Sequence, residues 1–273
     1  MVAGVSPVLV DEYDEHGVVV LRGILSTGAV ELLRRGIDAV VASPSSRAKV
    51  ASRDDDPGFF LEDFCRWREH AEFREFLDRG ELVEAARLLM RSTTVRMYHD
   101  HVLVKEAGTR QRTPWHQDQP YYDVEGRRNV SFWIPVDPVP AEYSLEVWRG
   151  SHRGPWFTPR SFRDEQARWF PEGHLAELPD IESDRDSFDI AAFAVEPGDA
   201  VAFHMGAVHG APGFPGPGRR RVFSLRLLGD DMVHAPRPWV CSPDLASILV
   251  AECGADDRIA GAPLTGDWFP LLG

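Results

Sequence analysis

From Thr94 onward the chain is a succession of short β-branched and aromatic runs: VRMYHDHVLVKE, RNVSFWIPV, LEVWRG, SFDIAAFAV, DAVAFH and RRVFSLRLLG. Gly, Pro and Asp separate them, so none can continue as a helix, and the runs can bury their apolar faces only by pairing. Strands of this length and spacing predict an antiparallel sandwich or barrel, here over residues 94–232. The first 93 residues read differently, as mostly helical with one early strand, Val18–Leu21. Between Ser26 and Val41, Val30, Leu32, Leu33, Ile37, Val40 and Val41 recur at helical spacing behind a Ser or Thr cap. Phe73–Leu77 and Leu82–Met90 read as two further helices, and SPSSRAKVASRDDDPG as a polar loop.

No repeat or Ser/Gly linker divides the chain, so residues 1–273 are expected to form one domain. Its helical part (1–93) packs on the β-core (94–232), followed by an extension over 233–273. The charged stretch around 159–186, studded with Trp and Phe, is too long for a plain connector and predicts a lid or insert.

Thirty Lys and Arg face 43 Asp and Glu, a formal charge of −13. Such a surface repels phosphate backbones and anionic lipid, which argues against nucleic acid or a membrane as partner and leaves a small-molecule substrate. Cys65, Cys241 and Cys253 form no Cys-x-x-Cys pair and no disulfide framework. With acidic residues early in the chain and no long apolar run, a soluble cytoplasmic protein is expected. Nothing in the sequence specifies an oligomeric state.

The chemistry concentrates in TPWHQDQPYYD. His116 and Asp118 lie two apart, so on an extended segment both face one side. One carboxylate and two imidazoles make the facial triad that holds Fe(II) with positions left open. PGDAVAFHMGAVHGAPG offers two candidates for the second imidazole: His204, closing a strand, and His209, beginning a Gly- and Pro-rich turn. GRRRVFSLRL follows, with an arginine whose planar fork suits a carboxylate. His99 and His101 share a strand face around Asp100 and read as pocket-lining, while His16, His70, His152, His174 and His234 read as surface or turn residues.

The order His116-x-Asp118, then PGD, then His209-Gly210, then Arg220 eleven residues on, resembles the phytanoyl-CoA dioxygenase family of iron- and 2-oxoglutarate-dependent oxygenases. LEVWRGSHRG is similar to that family's L-x-x-x-P-G-S-H turn, with Arg149 for its Pro, and the likeness spans about residues 10–230. The resemblance implies a mainly β fold with flanking helices, built on a double-stranded β-helix (jelly-roll) core. It implies Fe(II) held by His116, Asp118 and His209, with 2-oxoglutarate and O2 as co-substrates. Arg220 would hold the distal carboxylate of 2-oxoglutarate, with Arg219 and Arg221 on the opposite strand face. Trp133 and Lys105 stand where relatives line or contact that co-substrate; by itself Trp133 also reads as a core residue and Lys105 as an exposed strand end. Ala211, Pro212 and Gly213 replace the family's usual Gly-Ser continuation after the histidine, and AEYSLEV places Tyr143 near the barrel mouth.

The implied reaction is hydroxylation of an unactivated C–H with release of succinate and CO2, because relatives that halogenate replace the carboxylate of Asp118 with a small residue. Trp115, Gln117, Gln119, Tyr121, Tyr122 and Tyr143 would line a pocket for a medium-sized, partly apolar metabolite, in line with secondary metabolism. Two competing readings are a cupin-type metalloenzyme without 2-oxoglutarate, which has no use for Arg220, and a non-catalytic β-sandwich module, which binds no iron.

Overall fold

The structure, a computed structural model, describes residues 5–53, 55–159 and 175–273. His174 and most of the expected lid (160–174) lie outside the described residues. Helix α1 (Pro7–His16) opens the fold, capped by Ser6 Oγ accepting from Leu9 N, with Pro7 supplying a preset φ at its start. Gly17, at φ 72°, ends it in the left-handed region and turns the chain into β1 (Val18–Leu21). Helix α2 (Thr27–Ala42) starts at Ser26, whose Oγ accepts from Ala29 N. Next come β2 (Lys49–Val50), β3 (Phe60–Phe64), α3 (Ala71–Asp78) and α4 (Val83–Leu89).

The N-terminal part therefore holds three strands and not one. The apolar rhythm of FLEDF is interrupted by Glu62 and Asp63, both nonetheless buried, which hides β3 from a hydrophobicity pattern. The polar loop over 43–58 contains β2, paired with β3.

The β-core follows as β4 (Arg96–Lys105), β5 (Thr113–His116), β6 (Val124–Glu125), β7 (Asn129–Pro135), β8 (Glu146–Trp148), β9 (Ile190–Ala192), β10 (Ala200–Phe203), β11 (His209–Ala211), β12 (Arg220–Leu228) and β13 (Val233–His234). Helix α5 (Leu245–Cys253) lies near the end. A seven-stranded sheet runs β1-β10-β7-β12-β4-β3-β2, facing a four-stranded sheet β5-β11-β8-β9. All pairings between these strands are antiparallel, so the chain is mainly β with a jelly-roll core.

Strand alternation sorts the large sheet into two faces. Phe223, Leu225 and Leu227 of β12, Val102 and Val104 of β4 and Val130, Phe132 and Ile134 of β7 pack outward against α2, α3 and α4. The opposite row of β12, Arg220, Val222, Ser224 and Arg226, lines a cavity between the sheets. A bulge in β4 opposite the Arg226–Leu227 step shifts the register by one residue. It puts Met97 in the outer layer while His99, His101, Leu103 and Lys105 share the inner face. The extension is part of the fold: β13 pairs with β6, and Trp268 and Phe269 pack with Tyr98 and Tyr122.

Gly36 lies where α2 meets α3. A Cβ there would sit 2.3 Å from Phe73 Cε1, and Phe73 cannot yield because it is fully buried and packed at 4.5 Å on Phe223. Overpacking costs roughly 1–3 kcal/mol, against the ~1 kcal/mol that Ala gains over Gly in a helix. Gly36→Ala should therefore destabilise the protein by about 1 kcal/mol or more, read by urea denaturation, despite improving helix propensity.

Candidate metal centre

His116 ends β5 and His209 opens β11, and the two are directly opposed in the antiparallel register, with ring centroids 4.2 Å apart. His209 is thus a strand residue and not the start of a turn. Asp118 does not continue the extended segment. It adopts φ −70°, ψ −45° and starts the 3-10 turn Gln119–Tyr121, which swings its carboxylate back toward the histidines. Its Oδ1 lies 3.7 Å from His116 Nε2 and 3.8 Å from His209 Nε2, and one ligand atom from each residue falls within 4.8 Å of the others.

Both imidazoles are held from behind. His116 Nδ1 donates to Pro114 O at 2.8 Å and His209 Nδ1 to Ala207 O at 2.9 Å, which fixes the tautomer that presents the Nε2 lone pair. Burial, reinforced by His116, lowers His209 to about 3, so it stays neutral. Burial works to raise the Asp118 carboxyl, but Arg226, His116 and His209 more than offset it and hold it well below the usual range. Two imidazoles and one carboxylate form the donor set of a non-haem Fe(II) site.

Arg226 gave no motif signal. Its guanidinium lies 3.2 Å from Asp118 Oδ2, and Ser131 Oγ donates to the same oxygen at 3.1 Å. Oδ2 is thereby anchored, while Oδ1 faces the histidines and takes only a long contact, 3.5 Å, from the same guanidinium. Arg226 also donates to Tyr122 Oη at 3.0 Å and to Ser224 O at 3.2 Å. It lies on the same strand face as Arg220, six residues on, and this alternation was the available clue.

Arg220 and Lys105 are cross-strand partners on the cavity floor. Arg220 donates to Tyr143 O, and its guanidinium sits 5.8 Å from the Trp133 ring. No carboxylate among the described residues forms a salt bridge with it, and burial lowers it to about 9, still charged at neutral pH. Arg221 pairs with Asp137 and Asp38 and Arg219 with Asp38, both away from the cavity. Lys105 is not an exposed strand end. It is 1% exposed and donates to Gln111 O at 2.8 Å, Pro212 O at 3.0 Å and Ala211 O at 3.4 Å, tying the turn after His209 to the sheet. Burial, with Arg220 nearby, holds its ammonium well below the usual lysine range.

The cavity measures about 740 Å³. Tyr121, Tyr122 and Trp133 line it, whereas Trp115, Gln117, Gln119 and Tyr143 do not. Trp115 packs with Phe157, Ile181 and Val208, and its Nε1 donates to Glu182. Gln117 bridges Gly206 O, Pro155 O and Phe157 N, while Gln119 Nε2 donates to Gly126 O. Tyr143 packs against Phe214 and contributes its carbonyl to Arg220. Residues without a motif supply the rest of the wall: Glu62 and Phe64 of β3, residues 46–51, and residues 240–244. His204 lies elsewhere, its Nε2 donating to Arg127 O at 2.9 Å and its Nδ1 accepting from Gly206 N. His234, expected at the surface, is buried and bonds Asp123 O.

Two outcomes follow. Arg226→Met removes the charge that anchors Asp118 and should weaken metal binding about 10–100-fold, measured by Co(II) titration. Burial raises Glu62 from 4.5 to about 7. The folded chain then holds a proton there that the unfolded chain releases, so this group makes stability fall as pH rises from 4.5 to 7. Glu62→Gln should flatten that decline and add roughly 2 kcal/mol above it, seen in denaturation curves across the range.

A sequence model of the phytanoyl-CoA dioxygenase (PhyH) family matches residues 13–222. No curated protein sequence matches the chain. Among solved structures, the non-haem α-ketoglutarate-dependent carbocyclase SnoK from nogalamycin biosynthesis superposes with a TM-score of 0.73 at 22% identity, covering 98% of this chain and 96% of SnoK. The epimerase SnoN, in complex with Fe3+, α-ketoglutarate and nogalamycin RO, gives 0.74 at 19% identity over 98% and 100%. EctD from S. alaskensis, with 2-oxoglutarate and 5-hydroxyectoine, gives 0.62 at 21% over 82% and 76%. These likenesses carry the fold; the family match spans most of the sequence and contains all three clustered ligands and Arg220, so the chain belongs to the phytanoyl-CoA dioxygenase family of iron- and 2-oxoglutarate-dependent oxygenases.

Proposed function

We propose that the chain hydroxylates an unactivated C–H of a medium-sized, partly apolar metabolite of secondary metabolism, using Fe(II), 2-oxoglutarate and O2. The observation that carries this reading is the His116–Asp118–His209 cluster above a floor holding Arg220, a buried cation with no carboxylate partner among the described residues. In this reading His116, Asp118 and His209 hold the metal, and Arg220 takes the distal carboxylate of 2-oxoglutarate as a bidentate pair. When bound, iron and 2-oxoglutarate supply the oxidising power, one oxygen atom of O2 leaving in succinate and the other entering the substrate.

The chain's own residues position and insulate. Arg226 and Ser131 anchor Asp118 mainly through Oδ2, Arg226 reaching Oδ1 only at 3.5 Å, and Pro114 O and Ala207 O hold the imidazole planes. Trp133 covers Arg220, and Lys105 lies beside it on the neighbouring strand, tied to the turn after His209. The volume of about 740 Å³ suits a substrate larger than an amino acid, and the aromatic wall with Val50 and Val240 at half exposure suits an apolar one. Ring closure and epimerisation are the named reactions of SnoK and SnoN, and product mass separates them from hydroxylation. Hydroxylation adds one oxygen, ring closure loses two hydrogens, and epimerisation leaves the mass unchanged.

The test is anaerobic titration with Fe(II) and then 2-oxoglutarate, following the weak visible charge-transfer band. Wild type should show it. His116→Ala should bind too little iron to do so. Arg220→Ala should bind iron normally but need about 30-fold or more extra 2-oxoglutarate, since truncating one partner of a buried charge pair costs about 2–5 kcal/mol. Iron binding without a band would favour a cupin-type site; absence of iron binding would overturn the reading.

A further inference from the structure

The cavity carries a second polar pair outside the His116–Asp118–His209 cluster. Glu62 of β3 and His101 of β4 both line it, 3% and 5% exposed. Glu62 Oε1 lies 3.3 Å from His101 Nε2, but the two are misaligned, and neither atom completes a hydrogen bond. The His101 ring is stacked on Phe64 at 4.0 Å, so it cannot swing to improve the contact. Lys49 is paired with Glu62 in the β2–β3 register. It turns its Nζ toward Ser242 Oγ and the Phe64 ring and forms no salt bridge with the carboxylate.

A buried carboxyl oxygen without a hydrogen-bond partner is costly, and natural structures rarely leave one so unless something else completes it. The sheet register says where that partner lies. On the inner face, Arg226 and His99 form the row that anchors Asp118, and Arg220 and Lys105 form the row on the co-substrate floor. Glu62 pairs with Leu103, which pairs with Val222, so the carboxylate lies in a row between these two. It stands at the β3 side of the sheet, beside residues 46–51 and 240–244 that wall the cavity.

We propose that Glu62, backed by His101, binds a hydroxyl group on the substrate, and that the substrate is an apolar ring compound carrying that hydroxyl. The carboxylate accepts the hydroxyl proton while the imidazole beside it offers a matching donor. A hydroxyl both donates and accepts, which suits the pair better than an ammonium. The rings of Phe60 and Phe64 flank the position, and Val50 and Val240 receive the apolar body at the mouth. This assignment rests on the oxygenase reading for calling the cavity a substrate site. Its effect is on recognition, holding one end of the molecule so that a fixed carbon faces the metal centre.

The experiment uses the Fe(II)- and 2-oxoglutarate-loaded protein under nitrogen, with equilibrium dialysis of 2-naphthol and of its methyl ether as probes. Wild type should bind the naphthol about tenfold more tightly than the ether, the worth of one hydrogen bond to a charged group. Glu62→Leu should bring that ratio to about one while leaving the 2-oxoglutarate band intact. Glu62→Gln, which keeps the shape of the side chain, guards against misfolding and should reduce the ratio to about threefold. A wild-type ratio near one, no saturable binding of the naphthol, or an unchanged ratio in both variants would overturn the assignment. Loss of the 2-oxoglutarate band in wild type would instead sink the oxygenase reading, and the naphthol ratio would still report on Glu62.

Discussion

The cost of burying charge organises this molecule. Lys105, Arg220 and Arg226 all sit within a few per cent of complete burial on one face of a sheet whose other face is hydrocarbon. An isolated ion in that position loses several kcal/mol of solvation, so each needs a partner. Arg226 has Asp118, and the pair suits both, the carboxylate held ionised and the guanidinium held charged. Lys105 has three backbone carbonyls, including two from the turn that follows His209. Arg220 has one carbonyl and the face of Trp133, which is too little for a buried guanidinium. The shortfall at Arg220 is the size of a carboxylate, and a dianionic co-substrate reaching from the metal would supply it.

The outer face provides the stability that lets the inner face carry such groups. Its contacts with α2, α3 and α4 bury Phe73, Phe223, Leu32, Leu33 and Ile37 almost completely, each worth roughly 1.5–3 kcal/mol. Because side chains alternate with a period of two, the same strands deliver both faces. A one-residue slip of β12 would turn Arg220, Ser224 and Arg226 into the helices and Phe223 into the cavity. The bulge in β4 lets the strand pair with β12 along its whole length while keeping His99, His101 and Lys105 inward.

Much of the metal centre was legible because its residues lie close in sequence or follow a fixed order. His116, Asp118 and His209 come together as the family resemblance implied, though Asp118 does so by leaving the strand and His209 by joining one. Arg220 was singled out by the family resemblance, eleven residues after His209, and alternation put Arg219 and Arg221 on the other face, which the structure shows. The cavity wall was not readable, because its residues meet only through long-range pairing. Glu62 sits in a run that looks too acidic for a buried strand, and residues 240–244 are brought in by the extension. Conversely, Trp115, Gln117 and Gln119 neighbour the ligands in sequence, but pleat and turn point them into packing and backbone bonds away from the cavity. Sequence proximity to a ligand thus predicted support for the site better than contact with its contents.

That division has a functional consequence. The end holding the His116–Asp118–His209 cluster and Arg220 is built from β5, β11 and β12 and the turn after His116, where several hydrogen bonds fix the ligand side chains. The β3 side is built from β2, β3 and residues 240–244, where Val50 and Val240 stay half exposed and Glu62 and His101 are left short of partners. The two regions share the inner face of the sheet, but no hydrogen bond or salt bridge among the described residues joins Glu62 or His101 to His116, Asp118 or His209. In the proposed reading, changes on the β3 side alter which molecule is held and which carbon it presents. An overall fold shared at about 20% identity with enzymes named for ring closure and epimerisation is what such an arrangement permits. In the proposed reading it is Glu62 and His101, more than the metal ligands, that select the molecule held.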